Sequence, residues 1–277
     1  MILFDNEIEM FPSSYQEILE RVDRIDPVRY GKNRNYLNGA VSYLSPYISR
    51  GVISTKFVFN HLIERGLHPE RMEKFIQELA WRDYWQQMWT LKRDAINSDL
   101  KKPQDRVANH LISKKIIEAD TGIEAIDKAI LAFYKNGYMH NHMRMYVASL
   151  ACNVAQSHWY FPAKWMYFHL LDADWASNAL SWQWVAGANS QKKYYANQDN
   201  INKYCFTQQK ETYLDKSYGA LADSDIPDSL LETVDLVLQT SLPAKRHIRV
   251  DKSLPTLLYN FYNLDPAWKK HIKANRI

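Results

Sequence analysis

Glycine is scarce in this chain, with 8 among 277 residues, and so are segments in which apolar and polar residues alternate. That excludes an architecture of many short strands joined by tight turns; long segments of 3.6-residue period point instead to an all-α protein. Cysteine is scarcer still. Cys152, in a helical stretch, and Cys205 are too few for a four-cysteine metal or iron-sulfur site, and in a reducing cytosol both are expected to be free thiols. No apolar run approaches the roughly 20 residues of a membrane span. The opening MILFDNEIEMFP lacks the basic start and apolar centre of a signal peptide, so a cytoplasmic location is the default. An excess of one charge is lacking too: 35 Lys and Arg against 31 Asp and Glu leave a net charge of +4, too weak a bias to imply nucleic acid by itself.

What the chain does have is apolar and aromatic. Its 46% of hydrophobic residues are ample for one large or two modest domains. Nine tryptophans and eighteen tyrosines exceed what a helical core needs, and such rings suit stacking on flat ring systems as well as ordinary packing. Five of the nine tryptophans fall in residues 137–184, where ionisable and amide groups interrupt an apolar helical pattern. A helix from about Gly137 to Val154 sets Asn141, Met145 and Ala148 on one side, with His140, Arg144 and Val147 beside them. A second helix, from Ala163, should stop near Leu171. Asp172-Ala173-Asp174 then supplies acceptors for the N-cap of a third, starting at Trp175. Asp174, Asn178 and Trp182 share a stripe on it, each one turn (roughly 6 Å) from the next, whereas Trp184 faces elsewhere. A plain helical hairpin would bury Leu and Ala here, because each unpartnered buried polar group costs about 1–3 kcal/mol. Either Arg144 and Asp172 form an ion pair that only ties two helices together, or these groups face a polar ligand; spacing leaves both open.

The flanking segments are plainer. SSYQEILERVDRI reads as an amphipathic scaffold helix capped by Ser13 or Ser14. MEKFIQELAWRDYWQQMWTL (72–91) reads as one helix with Phe75, Leu79 and Met88 towards the core. Glu78 and Arg82 on it stand four apart, a spacing that ordinarily means a solvated salt bridge, and Trp85 and Trp89 read as packing. Residues 92–119 are a polar, lysine-rich connection broken by Pro103, and GIEAIDKAILAFYKNG is a supporting helix ending at Asn136. The stretches LPAKRHIRVDK and WKKHIKANRI are basic with interleaved aromatics, solvated tails or phosphate contacts.

MHNHMRM (139–145), the DAD of 172–174, Asn178 and WQW (182–184) resemble, in order and spacing, the flavin-binding core of the DNA photolyase and cryptochrome family. The resemblance extends upstream through ELAWRDYW (78–85) and SYLSPYISRG (42–51) and covers roughly residues 30–205. It implies the family's helical FAD-binding domain over 1–205, without the α/β antenna domain, and a C-terminal extension, 206–277, packed on or continuing it. It implies FAD, active when reduced, no iron-sulfur cluster, and a monomer that uses blue light to repair UV-damaged DNA by electron transfer. By resemblance, Tyr30, Ser42, Leu44, Ser45, Arg82, Asn141, Arg144, Asp172, Asp174 and Asn178 hold the cofactor, with Asn178 at flavin N5 and Arg144 paired to Asp172. Arg34, Glu78, Trp81, Asn141, Met145 and Trp184 meet the lesion, and Trp182 and Trp159 match the first two members of a tryptophan relay. Catalysis would rest on Glu78, Asn178, Trp159 and Trp182. Asn141 following His140, together with Met145, favours cyclobutane dimers over 6-4 products. Val41, Tyr43 and Asn197 depart from the pattern, and Arg106 stands where the third relay tryptophan usually sits. Two other classes stay open: a cryptochrome-like photoreceptor with FAD and no repair, and a flavin-free helical DNA-binding protein.

Overall fold

A computed structural model describes residues 10–242, 244 and 247–277. Residues 1–9, on which the absence of a leader was read, and Pro243, Lys245 and Arg246 of the first basic stretch lie outside the described residues. Twelve helices follow in the described chain: α1 (Tyr15–Asp23), α2 (Pro27–Asn33), α3 (Ser45–Ser49), α4 (Thr55–Glu64), α5 (Glu73–Lys92), α6 (Lys114–Ile117), α7 (Glu124–Asn136), α8 (Asn141–Ser149), α9 (Tyr160–His169), α10 (Trp175–Ala186), α11 (Gln198–Cys205) and α12 (Tyr218–Asp223). Strands are vestigial. β1 (Ile112–Ser113) pairs antiparallel with β2 (Thr233–Val234), and β3 (Thr256–Leu257) pairs parallel with β4 (Asn275–Arg276). The fold class is therefore all-α, as composition and period indicate.

Local chemistry sets the helix ends. Asp26 accepts from the Arg29 amide and Pro27 supplies the first position of α2; Ser54, Asp174 and Asn197 cap α4, α10 and α11 through the amides of Phe57, Ser177 and Asn200. The helix expected from Gly137 to Val154 starts later than that and ends where expected. Gly137, at φ +67°, closes α7 in the left-handed conformation. His140 Nδ1 then accepts from the His142 amide, so α8 begins at Asn141, and a π-helical turn over Leu150–Val154 continues it. The next helix starts three residues earlier than Ala163 and stops at His169.

Two clusters of buried side chains form the core. The smaller joins α1 to α4 with the start of α5 through Ile18, Val22, Leu44, Val58, Leu62 and Phe75. The larger gathers α7 to α11 around Ile126, Phe133, Tyr146, Trp159, Trp165 and Trp182, and it also includes Leu214, Leu221 and Leu230. Beyond Leu230 the described residues lie nearer the surface, with Val234 and Leu236 still packed against the larger cluster, and they dock specifically. Leu264 donates its amide to the Arg50 carbonyl, and at Gly51, φ +61°, a Cβ would fall 2.1 Å from the Tyr262 carbonyl oxygen, so only glycine fits. Of the 20 residues of α5 only Phe75 is fully buried. Leu79 packs against the smaller cluster as expected and also lines a cavity, whereas Met88 belongs to neither cluster and lines a pocket instead.

Candidate cofactor and substrate cavity

Where the two cores meet, a cavity of about 660 Å³ opens, within the range of small-molecule sites. Leu44 and Phe75 of the smaller core line it together with Met166, Leu170 and Trp182 of the larger. Three ion pairs ring it, each joining two separate segments. Arg34 Nε of α2's end lies 3.5 Å from Glu78 on α5, Arg82 Nη2 on α5 lies 3.3 Å from Asp174 at the start of α10, and Arg144 Nη2 on α8 lies 2.9 Å from Asp172. The six charged walls thus sum to neutrality. Glu78 and Arg82 do not pair with each other: the solvated i, i+4 bridge gives way to tertiary partners that the cavity places on either side of the helix.

Each pair is held from behind. Arg144 also donates its Nε to the Met139 carbonyl at 2.8 Å, and its guanidinium lies over the buried Tyr138 ring at 5.8 Å. Asp174 accepts from Gln86 Nε2 at 2.7 Å and from the Ser177 amide at 3.2 Å, so both its oxygens are engaged. Asp172 is buried, and burial alone would raise its pKa; Arg144, Ser45 and Arg82 outweigh that and hold its carboxyl below the usual range, so it is ionised. Burial, with His142 and Arg144 nearby, pushes His140 down to about 4, and burial with Arg34 nearby pushes His142 to about 4. Both imidazoles are neutral at pH 7.

Several buried polar atoms around the cavity have no hydrogen-bond partner among the described residues: Asp172 Oδ1, Arg82 Nη2, Ser177 Oγ and His142 Nε2. Buried groups of this kind are normally satisfied, so a ligand rich in donors and acceptors suits them. Asn178 adds to the set. Its Nδ2 donates to the Ala163 carbonyl at 2.8 Å, which fixes the amide and leaves Oδ1 and a second N–H for a ligand. These observations fit the polar edge of a flavin ring.

Of the residues singled out in the sequence, the cavity brings together Tyr30, Arg34, Ser42, Leu44, Ser45, Glu78, Trp81, Arg82, Asn141, Arg144, Met145, Asp172, Asp174, Asn178, Trp182 and Trp184. Trp184, expected to face elsewhere, reaches its mouth because α10 is open to solvent at this end. Trp159 is not in the wall: it is fully buried, donating Nε1 to Asp99 at 2.7 Å. From it an aromatic run continues edge-on through Tyr160 (5.5 Å between centroids) to Trp175 (6.0 Å). Arg106 is tied to the carbonyls of Ala222 and Ser224. The SYLSPYISRG segment forms the five-residue α3 with Pro46 in its first turn, so it has few free amides to offer an anion; Ser42 and Ser45 line the cavity. Residues to which the sequence reading gave no role are Tyr138, His142, Ser177 and Ser181, and Trp85, read as packing, also lines the cavity. Ser177 and Ser181 each follow a recognised position by three, a spacing that assigns them to the same face.

The sequence model of the FAD-binding domain of DNA photolyase matches residues 75–219. The deoxyribodipyrimidine photo-lyase of Streptomyces griseus is 32% identical over 152 residues, covering 54% of this chain and 33% of that protein. That of Alkalihalophilus pseudofirmus is 27% identical over 167 residues, covering 58% and 34%. Among solved structures, the cryptochrome of Synechocystis sp. PCC6803 superposes with a TM-score of 0.62 at 23% identity, over 74% of this chain and 46% of that one, a likeness of fold. The chain spans about a third of the length of the curated relatives it matches. With the matched segment running from the first turn of α5 into α12 and taking in most of the cavity wall, the chain belongs to the family of the FAD-binding domain of DNA photolyase.

Proposed function

We propose that this chain binds FAD in the cavity and uses blue light to repair UV-damaged DNA, with cyclobutane pyrimidine dimers as the lesion. The observation that carries the reading is the sharing of one cavity: Glu78, Trp81, Asn141, Met145 and Trp184 line the same space as Arg144, Asp172 and Asn178. A flavin-holding protein without repair activity has no use for the first five beside the last three. When bound, FAD would supply the light-driven electron that splits the dimer. The protein's share is binding and electrostatics. Arg144 and Asp172 border the isoalloxazine, Asn178 presents its amide, and Ser42 and Ser45 face the diphosphate side. Trp81 and Trp184 wall a pocket for a flipped dinucleotide, and Glu78, oriented by Arg34, accepts from the pyrimidine.

Dimer-containing oligonucleotides incubated with FAD-loaded protein in blue light and in darkness test this directly: dimers lost only in the light are expected. Bound flavin with dimers untouched under illumination would leave the photosensory reading. That alternative draws support from Arg106, whose backbone-bound guanidinium cannot carry an electron outwards, and from cryptochrome-1 of Arabidopsis thaliana, 26% identical over 191 residues.

A further inference from the structure

Beside the main cavity lies a second pocket of about 480 Å³, walled by Trp81, Tyr84, Trp85, Met88, Lys92, Leu100, Lys101, Trp184 and the 189–191 turn. Trp81, Trp85 and Trp184 stand between the two and line both. Trp85 does not pack into the core: its indole lies 5.2 Å from that of Trp81 at an interplanar angle of 19°, and the Tyr84 ring stands 5.0 Å from Trp85. These rings remain open, Trp81 43%, Tyr84 45% and Trp184 42% exposed. Contiguous exposed aromatics on a protein surface mark a binding site more often than chance.

The rest of the wall is cationic and polar. Lys92 and Lys101 line the pocket and no carboxylate does. Asn189 is 7% exposed, and its side-chain amide makes no hydrogen bond with the described residues. The floor is preformed. The amides of Lys101 and Lys102 both donate to the Ala188 carbonyl, the Leu100 amide donates to the buried Gln183 side chain, and Ser190 bonds the Trp184 and Lys192 carbonyls. Stacked rings, a flanking pair of ammonium groups and an amide at the base are the elements with which proteins hold single-stranded nucleic acid: rings for base faces, lysines for phosphates.

We propose that this pocket receives a base flanking the lesion in single-stranded DNA, Tyr84 and Trp85 stacking on it while Lys92 and Lys101 pair with the adjoining phosphates. The inference rests on the reading of the main cavity as the lesion site, since Trp81 and Trp184 would separate the flipped dinucleotide from its neighbour. A duplex would keep that neighbour in its helical stack, where these rings could not reach its face.

The test uses the full, FAD-loaded chain and fluorescence anisotropy with labelled oligothymidylates, two and six nucleotides long, each carrying one thymine dimer, and an undamaged hexamer. The damaged hexamer is expected to bind about tenfold more tightly than the damaged dinucleotide. Tyr84→Ala, at an exposed position that leaves the core intact, should lower hexamer affinity about fivefold, one stacked base's worth, and leave the dinucleotide unaffected. Lys92→Ala with Lys101→Ala should reduce the salt slope for the hexamer by about 1.4, at 0.7 per phosphate contact. Equal affinity for the two damaged lengths, or variants that bind the hexamer as the parent does, would overturn the proposal. So would a duplex bound with the same dependence on Tyr84, or an oligouridylate preferred to DNA. Should damage confer no tightening while the undamaged hexamer still depends on Tyr84 and both lysines, the pocket stands and the repair reading falls.

Discussion

At the scale of single residues, the cavity's ionisation pattern is the feature most open to measurement. His140 and His142 are held near 4 against an ordinary 6.5, chiefly by burial. The folded state therefore prefers both rings neutral, while the unfolded chain protonates them as pH falls through 6.5. Their contribution is complete above that value and is lost progressively down to about 4. Between pH 8 and pH 5 each histidine should cost on the order of 2 kcal/mol. Urea unfolding at the two pH values should show that loss, and the double substitution His140→Asn with His142→Asn should remove most of the difference; an unchanged pH dependence would place its origin elsewhere. Asp172 gives a separate signature. Replacing it by Ala leaves the half-buried Arg144 guanidinium without its carboxylate, which should destabilise the fold by about 2 kcal/mol and abolish FAD retention through gel filtration. Arg144→Met alongside it should restore part of the stability and none of the retention, which separates the ion pair as tie from the ion pair as ligand-holder.

At the scale of elements, Gly137 fixes how α7 hands over to α8. It has φ +67°, its carbonyl accepts from the Leu171 amide, and a Cβ there would sit 2.7 Å from Leu171 Cγ and 3.2 Å from the His169 carbonyl oxygen. Gly137→Ala should therefore cost about 1–2 kcal/mol, read as a lower thermal midpoint. The same site shows what sequence discloses and what it hides. Face assignments on α8 and α10 were legible, because Asn141, Met145 and Ala148, like Asp174, Asn178 and Trp182, obey helical spacing whatever surrounds them. The start of α8 was not, since it depends on a ring nitrogen of His140 turning back onto its own backbone. Nor were the partners of Glu78 and Arg82. Spacing offers each the other, while tertiary placement brings Arg34 and Asp174 closer. The place of Trp85 escaped for a like reason: a tryptophan on an aromatic helix reads as core until it is seen to be half-buried in the wall between two cavities.

At the scale of the whole molecule, two hydrophobic clusters meet around a polar, ring-shaped set of ion pairs instead of fusing into one core. Arg34–Glu78, Arg82–Asp174 and Arg144–Asp172 bridge that junction, and among the described residues Asp172 Oδ1, Arg82 Nη2 and Ser177 Oγ stay short of hydrogen-bond partners there. A ligand that satisfies those atoms joins the two clusters, and binding then appears as stability of the entire fold. At FAD a hundred times above its dissociation constant the gain is about 2.7 kcal/mol, which for a chain of this size raises the thermal midpoint by about 5 °C or more. Calorimetry with and without FAD should show that rise as one sharpened transition. Asn178→Leu, which removes the amide from the wall, should lower the starting midpoint slightly and shrink the FAD-induced rise to a small fraction of it, whereas Tyr84→Ala, outside the cavity, should leave the rise intact. A midpoint indifferent to FAD in the parent protein would mean that the orphaned atoms are met by water and that the junction is closed by the protein alone.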